Sequence, residues 1–196
     1  MSRIRDTGRY SKIAALFHWG VAILLLVQIY VGWTFGDMER GALRTEWFNW
    51  HKTLGFAILL LTVGRLVWRL VNPPPAWPAQ TPTWERWLAR LNHAAFYIVL
   101  IGLSLTGWAY ISTGSGALQS ATTPLVGGLS FPFIPGLPRA GHAAFEDTHV
   151  LLVKVTYALL ILHVGAVIKH LVFDRGAIAS RMPPFTRRED RHKPTN

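Results

Sequence analysis

Four stretches of this chain, residues 13–35, 48–70, 91–112 and 145–173, are apolar and long enough to cross a hydrocarbon core, and each carries at least one ionisable residue. A span takes about 20 apolar residues. Without water, every backbone group in such a segment must find its hydrogen bond internally, which an open chain achieves only as a helix. The expected fold class is therefore all-α, an integral membrane four-helix bundle. Ionisable groups inside spans are costly and are functional candidates by default.

Composition agrees with a bilayer. Hydrophobic residues make up 51% and charged residues 15%, against about 25% charged in soluble domains. Six of the nine tryptophans (Trp19, Trp33, Trp47, Trp50, Trp84 and Trp87) lie near span ends, as an interfacial aromatic belt requires. The chain has no cysteine. That excludes disulfides, iron–sulfur clusters, thiolate or thioether haem and cysteine zinc sites. Any metal must be held by His, Met, Tyr or carboxylates. The net charge of +10 raises nucleic acid as a partner, but Arg3, Arg5, Arg9 and Lys12 precede the first span and Arg187, Arg188, Arg191 and Lys193 follow the last. Basic flanks of this kind set topology. No nucleic-acid partner is expected.

Residues 1–184 read as a single transmembrane domain and 185–196 as a charged C-terminal tail. The first apolar run is too long for a signal-peptide core and no small-residue cleavage site follows it, so it reads as a retained span. The second connection (NPPPAWPAQTPTWERW) must stop the second helix near Val71, because proline removes a donor and clashes with the preceding turn. The third connection, 113–144, is rich in Gly, Pro and Ser with no helix period; a loop of that length is usually functional or a lid. Basic residues at the N-terminus, in the second connection and in the tail place both termini in the cytoplasm.

His149 and His163 are 14 residues apart. At 100° per residue they share one face of the fourth helix, with a rise of about 21 Å between them. His51, early in a helix that enters from the outer side, matches the depth of His149; His18, early in one that enters from the inner side, matches His163. The chain thus offers one pair per level, His51/His149 and His18/His163. Two neutral imidazoles facing one another across a bundle suit the axial positions of low-spin haem iron. One shared zinc site is ruled out by the separation, whereas buried histidines bonded to each other or to backbone are the alternative. His142 and His170 continue the same seven-residue series and remain rivals for the fourth-helix positions. His93 opens the third span with no evident cross-bundle partner.

His18-Trp19 after Tyr10-Ser11, His51-Lys52-x-x-Gly55, Gly64-Arg65-Leu66 with Arg69 before the prolines, the His149-to-His163 spacing and Arg181-Met182-Pro183 together resemble the prokaryotic cytochrome b561 family, in order and spacing, from about Tyr10 to Pro184. The resemblance implies a membrane-bound oxidoreductase of the bacterial inner (plasma) membrane with two haem b groups. It favours His149 and His163 over their rivals as haem-iron ligands. It also implies superoxide as a small-molecule electron donor and ubiquinone as acceptor, a superoxide:ubiquinone oxidoreductase-like activity. A cytochrome b anchor and electron-relay subunit of a larger dehydrogenase or hydrogenase is the alternative; a haem-free channel would leave the matched depths unexplained. Oligomeric state is open, and a homodimer is compatible with the sequence.

Arg65 follows His51 by 14 residues, on the same face at the depth of the inner pair. A guanidinium there needs an anion, which a haem propionate supplies; the competing reading is an arginine reaching the inner headgroups, as Arg69 does. Lys154, on a different face from His149, fits a propionate, a quinone or a polar cavity equally well. Gly55, Gly64, Gly102 and Gly107 read mainly as helix-packing positions.

Overall fold

The computed structural model describes residues 8–173 and 179–182. Four long helices, α1 (Lys12–Gly36), α2 (Ala42–Val71), α3 (Thr83–Thr113) and α4 (His142–Val172), form the body. All four are long and apolar enough to cross a membrane. Their lipid-type faces are intact: Leu16, Leu60, Ile98 and Ile161, one on each helix, are each 73–75% exposed.

Local sequence sets the helix ends. Ser11 caps α1, its hydroxyl accepting from the Ala14 N–H at 3.2 Å, which satisfies one of the free N-terminal donors. α2 stops at Val71, just ahead of Asn72 and three prolines, as expected. α3 begins at Thr83, well before the apolar run, with Glu85 in its first turn; a carboxylate there complements the helix dipole. Glu85 also pairs with Lys169 in the last turn of α4 at 2.8 Å. α2 and α4 likewise start ahead of their apolar stretches.

α1 packs chiefly on α2 and α3 on α4, with α2 against α3 joining the two pairs. Mid-bundle, Val21 and Leu25 of α1 and Leu100 of α3 form a buried cluster against Ile29, Leu61, Phe96 and Leu160, so all four helices contribute to one apolar layer.

The expectation of an all-α chain needs an amendment in the third connection. It contains an antiparallel hairpin, β1 (Thr122–Pro124) with β2 (Ser130–Pro132), in which Thr123 opposes Phe131. Gly127 and Gly128 turn it with φ of 77° and 74°, a left-handed backbone that glycine adopts without strain. The hairpin is stitched to the helices. Trp108 Nε1 donates to Pro132 O (2.9 Å), the Val126 N–H to Thr53 Oγ1 (3.0 Å) and the Ile134 N–H to Ser112 Oγ (2.9 Å). The Phe131 ring packs against that of Phe56, their centres 3.9 Å apart and their planes tilted by 32°. This is a fixed cap on the ends of α2 and α3.

At the opposite end the first and last described segments meet. The Tyr10 N–H donates to Arg181 O (2.9 Å), and the Arg181 guanidinium donates to Gly8 O (3.2 Å), Ala76 O (3.0 Å) and Pro75 O. Both ends of the bundle's chain therefore lie on one side. Pro183, Pro184 and the basic tail, 185–196, fall outside the described residues, as do Arg3 and Arg5.

Candidate functional site

The structure brings histidines together at two levels. At the hairpin end, the rings of His51 (α2) and His149 (α4) are 6.3 Å apart between centres. At the terminal end, His18 (α1) and His163 (α4) are 6.2 Å apart. The apolar layer of Val21, Leu25 and Leu100 lies between the levels. The other two fourth-helix histidines are placed differently. His142 is the first residue of α4, stacked 4.5 Å from Tyr110 and 3.0 Å from Thr113 Oγ1. His170 sits in the last turn.

The haem that such pairs imply can be tested against these distances. A metal–imidazole bond is about 2 Å, and a ring nitrogen lies about 1.2 Å from its ring centre, so an ion held between two imidazoles separates their centres by about 6.4 Å. Both pairs meet that spacing. The rings are also held ready: His149 Nδ1 lies 2.9 Å from Leu103 O, and donation there fixes the tautomer that leaves Nε2 as the lone-pair nitrogen. His18 Nδ1 and His51 Nδ1 are buried without a hydrogen-bond partner. One glycine makes room for a ring: a Cβ on Gly107 would come within 3.0 Å of the His149 ring, whereas one on Gly32 would meet His51 only at ordinary contact, 3.5 Å. The residues fit the group. Among the described residues, no three His, Asp or Glu side chains converge as a metal site.

Four residues passed over or misjudged from sequence belong here. Gln28, buried in α1, donates from Nε2 to His51 O (3.0 Å) and lies 3.3 Å from His51 Nε2; a lone amide in an apolar span was its signal. His93 does have a neighbour: it is 5.8 Å from His163, edge-on, with its Nδ1 2.6 Å from Ala89 O. It lines a cavity of about 210 Å³ with Arg69, Arg90, Arg181, Tyr10 and Trp77. Lys52 is only 8% exposed, and its ammonium donates to Thr123 Oγ1 at 2.6 Å. Arg181 is clasped between the rings of Tyr10 and Trp77.

Arg65 stands 5.6 Å over the Tyr97 ring and is close enough to His18 and His163 to act on both electrostatically. Lys154 is exposed on α4, with no hydrogen bond or ion pair among the described residues.

A membrane-spanning bundle with facing imidazoles at two depths defines a class, the membrane cytochromes b. Residues 9–184 match the family described as prokaryotic cytochrome b561, and the chain belongs to that family of haem b electron-transfer proteins. It is 30% identical over 190 residues to cytochrome b561 homolog 2 of Escherichia coli (strain K12), covering 93% of this chain and 95% of the relative. It is also 27% identical over 186 residues to a Yersinia pestis protein named "Probable superoxide oxidase CybB", covering 89% of this chain and 96% of that one.

Proposed function

We propose that this chain is a di-haem b oxidoreductase of the bacterial inner membrane that moves electrons between the two levels of its bundle, from superoxide to ubiquinone. His51 and His149 would hold one haem iron at the hairpin level, and His18 and His163 the other at the terminal level. The carrying observation is the pair of ring-centre separations, 6.3 and 6.2 Å, each the span that one bis-imidazole iron requires. Residues 1–184 act as one domain with both termini in the cytoplasm, which puts the hairpin on the outer side. Superoxide as donor follows the printed name of the Yersinia pestis relative.

Bound haem b supplies reversible one-electron chemistry at its iron. The chain's own residues supply the rest. Leu103 O holds the His149 ring by its Nδ1–H, which leaves Nε2 as the lone-pair nitrogen. The layer of Val21, Leu25 and Leu100 excludes water between the levels, which keeps the local dielectric low. Arg65 offers a guanidinium beside the His18/His163 pair for a propionate.

Optical spectra of the purified protein, oxidised and dithionite-reduced, test this directly. We expect two haem b per chain, one lost in His18→Ala or His163→Ala and the other in His51→Ala or His149→Ala. A colourless preparation made with adequate haem supply rejects the function. Loss of a haem in His142→Ala or His170→Ala, with both retained in His149→Ala or His163→Ala, rejects the ligand assignment.

A further inference from the structure

Lys52 is a buried cation that the proposed function leaves unused. Its side chain is 8% exposed, donates one hydrogen bond, to Thr123 Oγ1, and stands 5.1 Å over the Phe48 ring. An ammonium has three donors, and Lys52 forms no ion pair among the described residues. Lysines near span ends ordinarily reach out to headgroups and water. This one is turned under the hairpin, which is fastened over it through Thr53 and Val126 on one side and Trp108 and Pro132 on the other. Enclosing a cation with a single neutral partner is unfavourable unless an anion joins it. Lys52 is one of several ties to the hairpin, since Thr53, Trp108 and Ser112 also hold it. Lys52 also follows His51 directly in α2, so its backbone lies at the hairpin level, with its ammonium turned to Thr123 and Phe48.

We infer that Lys52 is the anion receptor of the hairpin-level site: its ammonium pairs with an oxygen anion brought by a ligand, either a haem carboxylate or a small anionic electron donor such as superoxide. This inference rests on the proposed function and sharpens it, because it assigns a charge-selective residue to the outer level.

The test uses the full-length, haem-loaded protein with Lys52→Met, Lys52→Arg and Thr123→Val. Two quantities are measured: the midpoint potential of the hairpin-level haem, and the rate of haem reduction by superoxide compared with the neutral donor duroquinol. If the partner is a haem carboxylate, Lys52→Met lowers that midpoint, since a nearby cation favours the reduced state, and Lys52→Arg restores it. If the partner is the donor, the midpoint holds while the superoxide rate falls about tenfold or more, the duroquinol rate stays unchanged, and Lys52→Arg restores the loss. Both results support the inference. Indifference of both quantities to Lys52→Met overturns it. So does Thr123→Val reproducing the Lys52→Met effect, because the ammonium would then act only as a hairpin pin. Should Lys52→Met fail to accumulate, Thr123→Val decides alone: wild-type potential and rates support the receptor, and their loss overturns it. A wild-type protein without any haem spectrum rejects the proposed function; a two-haem wild type with an indifferent Lys52→Met rejects only this inference.

Discussion

Replacing Gly107 with alanine separates the stability of the bundle from the integrity of one haem level. A Cβ on Gly107 would meet His149 Cε1 at 3.0 Å and Nδ1 at 3.1 Å, tighter than ordinary contact. The ring cannot simply swing away, since its Nδ1 is held by Leu103 O at 2.9 Å and lies 3.4 Å from Thr106 Oγ1. Forcing a methyl into a packed site costs about 1–3 kcal/mol. Taken up at the ligand, that weakens haem affinity at the hairpin level by about 5- to 150-fold, at 1.4 kcal/mol per decade. The same substitution gains about 1 kcal/mol of helix propensity, so α3 itself is not weakened. Gly107→Ala should therefore retain the bundle in detergent while losing or distorting the haem proposed for the hairpin level. Gly165→Ala, where a Cβ would touch nothing within 4 Å, and Gly32→Ala, which reaches His51 only at 3.5 Å, should keep both haems. Haem per chain is read by pyridine haemochrome, and ligand geometry by the low-spin electron paramagnetic resonance signals. Two full haems with unchanged signals in Gly107→Ala would refute the placement of His149 as a ligand packed on α3.

Gln28→Leu removes two contacts to His51 and should cost about 0.5–1.5 kcal/mol, seen as a lower melting temperature in detergent with the hairpin-level haem the first to be lost. Arg65→Leu should lower the midpoint potential of the terminal-level haem and leave the other unchanged; no shift in a redox titration would return Arg65 to its stacking role on Tyr97. Trp108→Phe deletes the bond to Pro132 O, worth about 1 kcal/mol, and should raise hydrogen exchange across 122–132 without altering haem content.

What the sequence could and could not show divides along physical lines. Hydropathy located the four spans, and the spacing of His149 and His163 fixed a shared face and a depth difference, because both follow from helix geometry. His93 was misjudged for a geometrical reason. The apolar run opens at Leu91, which puts His93 at the helix start, but α3 begins at Thr83, so His93 lies about 15 Å along the helix and reaches His163. His51 and His149 shift inward in the same sense, since α2 and α4 also begin ahead of their apolar runs, and their match in depth survives. Periodicity says nothing of which helices are neighbours, so the contact of Gln28 with His51 was invisible. The hairpin was hidden because its strands are three residues each, too short to show an alternating pattern. Its hold on Lys52 spans residues far apart in sequence.

α4 supplies one ring to each pair, which bears on the order in which the protein could be assembled. A nascent chain that has inserted only α1, α2 and α3 displays His18 and His51, each without a mate. Neither pair can form until the final helix is in place, and then both can form at once. If the two pairs hold haem as proposed, haem could be held at either level only after the last helix is in place, and a chain truncated before α4 should be colourless.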